Sequence, residues 1–132
     1  MRANCSLGSR TSVFPGRSRP AGGWKPPLSI LAALGVDPDR VPVVTRDQVK
    51  YAKPDPDLFL AAAMRLDAEI ERAVVVGDSI WDMLAATRCR ALGVGLLSGG
   101  YGSDELRQAG AIRVYDDPAD LLDHIDEVGG RR

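Results

Sequence analysis

The chain has 132 residues, of which 45% are hydrophobic, so it can bury one modest core. Its formal charge of −1 gives no general reason to expect nucleic acid or an anionic membrane as a partner. Its two cysteines, Cys5 and Cys89, form neither a disulfide framework nor a metal-binding spacing, and no apolar run approaches the ~20 residues of a membrane span. These features predict a soluble cytoplasmic protein that binds neither nucleic acid nor a membrane.

Residues 1–27 are predicted to form a disordered or irregular basic arm. They contain eight Gly or Pro residues, five basic residues and no acidic residue. Such a segment can bury too little apolar surface to offset the entropy lost on ordering. A basic arm could bind phosphate or nucleic acid, but without interleaved aromatic residues a solvated tail is the favoured interpretation.

Strands and helices are predicted to alternate from residue 41 onward, after a short helix over 28–34. A strand over 41–45 precedes a helix that Asp55 caps and that has Pro56 at its first position. Alternation with short loops predicts an α/β domain over 28–132, with a parallel sheet and helices on both faces. The remaining elements are predicted as strands 73–77, 94–98 and 112–115 and helices 80–91, 104–109 and 118–128.

The central feature of the chain is the apolar run that ends in Gly77-Asp78-Ser79. Four apolar residues before a glycine predict a strand that is buried on both faces, in the middle of a parallel sheet. Asp78 follows the carboxyl end of this strand, where open α/β sheets bind ligands, and Asp82 lies one helical turn further on. Two carboxylates at one strand end predict a site for a hard metal ion. The alternative is that Asp78 is only a helix cap.

Lys53 is the second candidate functional residue, in a proline-rich loop before the predicted helix that follows Pro56. A lysine there could supply a compact positive charge to an anionic oxygen near Asp78. Because both residues precede helix starts in adjacent strand–helix units, Lys53 is predicted to lie at the same carboxyl-terminal edge of the sheet as Asp78. The alternative interpretation is a solvated loop lysine. Two other residues that could suggest a site are assigned ordinary roles: Trp81 as a packing residue and His124 as a surface residue of the last helix.

Two segments together resemble a known family. Lys53-Pro-Asp-Pro-Asp57-Leu-Phe and Val74-Val-Val-Gly-Asp-Ser-Ile-Trp-Asp82 are similar to motifs III and IV of the haloacid dehalogenase (HAD) superfamily. The similarity continues to Asp117-Pro-Ala-Asp-Leu-Leu122, a close typical of the phosphoglycolate-phosphatase-like branch. It covers roughly residues 28–128 and implies a partial Rossmann-like HAD core.

The resemblance implies a Mg²⁺-dependent hydrolase of phosphate monoesters that uses an aspartyl-phosphate intermediate. Lys53 would be the catalytic lysine, Asp78 and Asp82 the metal-binding pair, and Gly77 and Ser79 the support of the phosphate-binding loop. The substrate implied is a small phosphorylated metabolite.

The family's nucleophile motif, an apolar strand followed by Asp-x-Asp, does not occur before Lys53. Asp37-Pro-Asp39 and Asp55-Pro-Asp57 match it only by letter, since both are predicted turns. The chain is therefore expected to be a truncated, mis-started or inactive form of such a hydrolase. The alternatives are a non-catalytic HAD-like module that binds Mg²⁺ or a partner subunit, and a phospho-acceptor receiver domain. The order of Lys53 before Asp78 argues against a receiver.

Overall fold

The computed structural model describes residues 28–130, so the predicted arm over residues 1–27 lies outside the described residues. The described chain contains three strands and five α-helices, joined by short 3₁₀ turns. In chain order these are α1 (Leu28–Ala33), α2 (Asp57–Arg65), β1 (Val74–Gly77), α3 (Ile80–Arg88), β2 (Leu92–Leu96), α4 (Ser103–Gln108), β3 (Ala111–Tyr115) and α5 (Pro118–Asp123). No helix within residues 28–130 is long and apolar enough to cross a membrane.

The three strands form one parallel sheet in the order β1-β2-β3. Side chains alternate across the two faces of β2, and this alternation assigns the helices to layers. Gly93 and Gly95 lie against Met83 of α3 and Leu106 of α4, so these helices cover one face at close range. Val94 packs with Leu121 of α5 on the other face. The predicted parallel α/β fold with helices on both faces is therefore confirmed.

The prediction that the strand ending at Gly77 lies buried in the middle of the sheet is wrong for the described residues. β1 is an edge strand here, with β2 as its only neighbour. Val75 is buried against α2 and α3, but Val74 and Val76 on the opposite face are 37% and 45% exposed. Local sequence predicted the strand correctly but could not show that α5 covers only the β3 side of the sheet.

The predicted strand over residues 41–45 is also wrong, because this segment pairs with no strand in the described part of the chain. The carbonyl of Val43 instead accepts a hydrogen bond from the guanidinium of Arg65 in α2. Helix α2 begins at Asp57 and its cap position is Pro56, so Asp55 does not cap it as predicted. The Asp55 carboxylate instead lies 4.0 Å from the guanidinium of Arg88.

The final predicted helix, 118–128, is divided in two at His124. Asp117 caps α5 by accepting hydrogen bonds from the amides of Ala119 and Asp120, and a separate 3₁₀ turn covers Ile125–Val128. As predicted, His124 is a surface residue. Its ring stacks on that of Tyr115 in β3, at a centroid distance of 5.8 Å, and its Nδ1 lies 2.9 Å from the carbonyl oxygen of Asp120.

We expect His124 to make the stability of the domain depend on pH. The hydrogen bond to the Asp120 carbonyl, followed by nearby carboxylates, raises the pKa of His124 above its ordinary value of 6.5. Because its pKa is higher in the folded protein, protonation of His124 stabilises the fold. This stabilisation is complete below about pH 6.5 and is lost as the pH rises through the folded-state pKa. In urea unfolding, wild type should therefore gain stability relative to His124→Gln as the pH falls from 8 to 6. A stability difference that is the same at both pH values would contradict this.

Candidate active site

The candidate site begins at the turn that follows β1. Ser79, not Asp78, occupies the cap position of α3, where its hydroxyl oxygen accepts a hydrogen bond from the Asp82 amide at 3.3 Å. The alternative that Asp78 is only a helix cap is therefore wrong. Gly77 is required because a β-carbon there would overlap the side chain of Asp82. This turn places Asp78, Ser79 and Asp82 at the carboxyl-terminal edge of the sheet.

Lys53 meets this turn through Asp82. The Lys53 ammonium lies 2.6 Å from Oδ1 of Asp82, and the Ser79 hydroxyl donates to Oδ2 of the same carboxylate at 2.7 Å. The Asp82 side chain is only 8% exposed, whereas that of Lys53 is 39% exposed. A buried carboxylate is costly unless it is paired, so Asp82 holds the lysine at this edge while part of the ammonium remains open to solvent.

The Asp78 side chain is exposed, in contrast to that of Asp82. No residue within 28–130 forms a hydrogen bond or ion pair with the Asp78 carboxylate. Its backbone, however, is closely packed: Gly99, in the 3₁₀ turn after β2, lies against the Asp78 carbonyl. The two carboxylates predicted as a metal pair therefore differ: Asp82 is paired internally and Asp78 faces solvent.

The described residues fit part of a Mg²⁺ site. Mg²⁺ is commonly held by one or two carboxylates together with phosphate oxygens and retained waters. Asp78 fits one of these ligands because its carboxylate is free and exposed. Asp82 would have to release Lys53 or Ser79, or use a remaining lone pair, to contact the metal directly. No cluster of three potential metal-ligating side chains occurs among residues 28–130. Asp78 is therefore the one side chain of this turn that fits a Mg²⁺ ligand without rearrangement.

Lys53 reaches the site from a loop fixed by local hydrogen bonds rather than by the predicted strand before it. The Asp57 carboxylate accepts a hydrogen bond from the Tyr51 amide at 3.1 Å, which ties the loop to the start of α2. The Arg46 guanidinium donates to the Val49 carbonyl at 3.0 Å. Lys53 therefore lies at the predicted, carboxyl-terminal edge of the sheet, although the strand predicted over residues 41–45 does not form.

Of the two segments that match Asp-x-Asp by letter, Asp37-Pro-Asp39 lies in a turn as predicted, whereas Asp55-Pro-Asp57 runs from a bend into the first residue of α2. Asp37 accepts a hydrogen bond from the amide of Asp39, which closes a local turn. Asp55 and Asp57 contact Arg88 and the Tyr51 amide. None of these carboxylates follows a strand, so none occupies a position equivalent to Asp78.

A cavity of about 530 Å³ adjoins the site, and sequence reasoning did not predict it. Lys53 and Ser79 belong to its lining, so it opens onto the Lys53–Asp82 pair. Trp81, predicted to be a packing residue, instead lines this cavity and is 46% exposed. The signal that could have indicated the cavity is the position of Trp81, two residues after Ser79 and directly before Asp82, which both take part in the Lys53 network.

Comparison with known proteins identifies the family. Residues 24–90, half of the chain, match the model of the haloacid dehalogenase-like hydrolases. The chain is 33% identical to phosphoglycolate phosphatase from Rhodospirillum rubrum, over 81% of this chain and 45% of that protein. It is also 33% identical to glyceraldehyde 3-phosphate phosphatase from Methanopyrus kandleri, over 74% of this chain and 43% of that protein. The chain thus spans less than half the length of these curated relatives.

Solved structures agree in sequence and in fold. A hydrolase from Pseudomonas syringae is 61% identical, with a TM-score of 0.72 over 76% of this chain and 47% of that structure. A HAD family hydrolase from Deinococcus radiodurans, solved with bound phosphate and sodium, is 36% identical, with a TM-score of 0.54 over 59% of this chain and 36% of that structure. These hydrolases thus resemble this chain both in sequence and in the fold of the part that is covered. The chain belongs to the haloacid dehalogenase-like hydrolase family.

Proposed function

We propose that this chain carries the lysine-and-aspartate portion of a Mg²⁺-dependent phosphohydrolase that acts on phosphate monoesters. The single observation that carries the proposal is the 2.6 Å contact of the Lys53 ammonium with Asp82, in the turn that also presents the free carboxylate of Asp78. This arrangement puts a cation and an unpaired anion side by side at the edge of a parallel sheet, where ligands of such sheets bind.

The named relatives support the reaction class. The curated relatives from Rhodospirillum rubrum and Methanopyrus kandleri are phosphatases of small phosphorylated compounds. The hydrolase from Deinococcus radiodurans holds phosphate. We therefore propose a small phosphorylated metabolite as the ligand of this site, rather than nucleic acid or a membrane. Because such metabolites are found in the cytoplasm, we also propose the cytoplasm as the location of this protein.

The residues of the site would have distinct roles. Lys53 would donate hydrogen bonds to a phosphoryl oxygen through the part of its ammonium that Asp82 does not occupy. Asp82 and Ser79 would position Lys53, and Gly77 would allow the close approach of Asp82. Asp78 would hold Mg²⁺, which when bound stabilises the negative charge of the phosphoryl group. Among residues 28–52 no carboxylate follows a strand as an attacking group would, so we propose that this chain by itself binds the phosphoryl group but does not turn it over.

A non-catalytic module that binds a partner subunit is the second candidate. The observation that favours it is the uncovered side of the sheet beside α5. Val74, Val76 and Leu92 are 37%, 45% and 46% exposed there, and the outer edge of β1 pairs with no strand among the described residues. A parallel sheet normally has both faces covered, so this surface suits a protein partner.

The proposed function can be tested by the binding of methylphosphonate, a phosphate-ester analogue that cannot be hydrolysed, at millimolar Mg²⁺. In isothermal titration calorimetry, Lys53→Met should weaken binding about tenfold or more, because a charge-assisted hydrogen bond is lost. Arg72→Met is the matched control: it removes one exposed positive charge at the opposite edge of the sheet and should have little effect.

A second variant separates binding from folding. Lys53→Met leaves the buried Asp82 carboxylate without its cation, which could unfold the domain. The double variant Lys53→Met/Asp82→Asn removes that unpaired charge and should still bind methylphosphonate weakly while keeping the circular dichroism of the wild type. Undiminished binding by the folded double variant would refute the proposed role of Lys53.

A further inference from the structure

The cavity beside the Lys53–Asp82 pair is the feature of the described chain that the proposed function leaves unexplained. We propose that this cavity binds the aromatic group of an aryl phosphate monoester, with Trp81 as its main specificity-determining residue. The inference rests on the proposed function, since it assigns the phosphate end of the ligand to Lys53.

The position of the cavity supports this assignment. Lys53 and Ser79 contribute both to the cavity wall and to the Asp82 network. A ligand whose phosphoryl group contacts Lys53 would therefore extend directly into the cavity. The volume of about 530 Å³ lies within the range typical of small-molecule sites and can accommodate an aromatic ring.

The lining chemistry favours an aromatic group over a sugar-like one. Trp81 and Tyr51 line the cavity and are 46% and 49% exposed. The Lys50 ammonium lies over the Tyr51 ring, so stacking is assigned to Trp81. Val49 and Leu58 add apolar surface. An aromatic ligand gains both apolar burial and ring stacking from such walls, whereas a polyhydroxylated ligand gains neither to the same extent.

The charges of the lining favour an anionic ligand. Arg46 and Lys53 both contribute to the wall, and none of the described residues that line the cavity is Asp or Glu. The two cations and the aromatic side chains of the lining together match an aryl phosphate.

The experiment compares phenylphosphonate with methylphosphonate, two analogues that share the anionic group and differ only in the ring. By isothermal titration calorimetry at millimolar Mg²⁺, wild type should bind phenylphosphonate about tenfold more tightly, as expected for one stacked ring. Trp81→Ala should reduce this ratio to near one, and Trp81→Phe should preserve most of it. Leu122→Ala, which removes a side chain that is 60% exposed on α5, should leave the ratio unchanged.

The two analogues separate the two proposals. The ratio of their dissociation constants reports on the cavity, whereas the absolute affinity for methylphosphonate reports on Lys53. A ratio near one in wild type, or a ratio that Trp81→Ala does not change, would overturn the cavity assignment and leave the proposed function standing. Phenylphosphonate binding that Lys53→Met leaves unchanged but Trp81→Ala weakens would support the cavity and contradict the anion site. The lack of binding of either analogue would overturn both.

Discussion

Purified alone, the chain is expected to hydrolyse 4-nitrophenyl phosphate at millimolar Mg²⁺ no faster than the uncatalysed background. Phosphoryl transfer through an aspartyl-phosphate needs an attacking carboxylate and an acid to protonate the leaving group. Asp78 is the only free carboxylate in the turn after β1, and the proposed function assigns it to the metal. Loss of the nucleophile from a cooperating set lowers the rate by about 10⁶-fold in a well-studied hydrolase triad.

The control for this prediction is Asp78→Asn, which removes the proposed metal ligand. If the chain has no nucleophile, wild type and Asp78→Asn should give the same background rate of nitrophenol release. Robust turnover by wild type that Asp78→Asn abolishes would show that another carboxylate of this chain attacks phosphorus. Asp37, Asp55 and Asp57 would then be the first candidates to replace, although none of them follows a strand.

Gly99→Ala is expected to lower the free energy of unfolding by about 3 kcal/mol, which is at the upper end of overpacking effects. A β-carbon at residue 99 would fall on the carbonyl oxygen of Asp78 and within 2.9 Å of its β-carbon. The carbonyl oxygen and the β-carbon of Asp78 are held by the backbone of the turn after β1. They cannot move aside as the tip of a flexible side chain can. The loop and the turn must separate, which would displace Asp78.

Gly102→Ala is the matched control for this substitution, only three residues further along the same loop. A β-carbon there would approach only the carboxylate tip of Glu105, at 3.3 Å, and that side chain can shift. Because residue 102 is the cap position of α4, we expect a loss of at most about 1 kcal/mol. Urea unfolding of both variants provides the measurement. Equal losses would show that the close contact between Gly99 and Asp78 does not constrain this turn.

The placement of the candidate site residues could be predicted because they lie in short segments whose local structure the sequence specifies. An apolar run followed by Gly77-Asp78 specifies a strand and a turn, and Asp82 is brought over that turn by the helical repeat alone. Lys53 was placed at the same edge by its order in the chain and by the family resemblance. The internal pairing of Asp82 with Lys53 and Ser79 was not predicted, since it depends on how deeply Asp82 is buried.

By itself, the sequence determined the family, the parallel α/β class, the three strands that form the sheet and the residues of the turn after β1. Only the tertiary structure decided that residues 41–45 form no strand, that β1 lies at an edge and that Trp81 lines a cavity. The physical reason is that a helical turn or a glycine bend is stabilised by neighbours in the chain. A strand, by contrast, exists only if another strand pairs with it. A cavity likewise depends on distant segments, here residues 46–54 and the start of α3, which meet only in the folded chain.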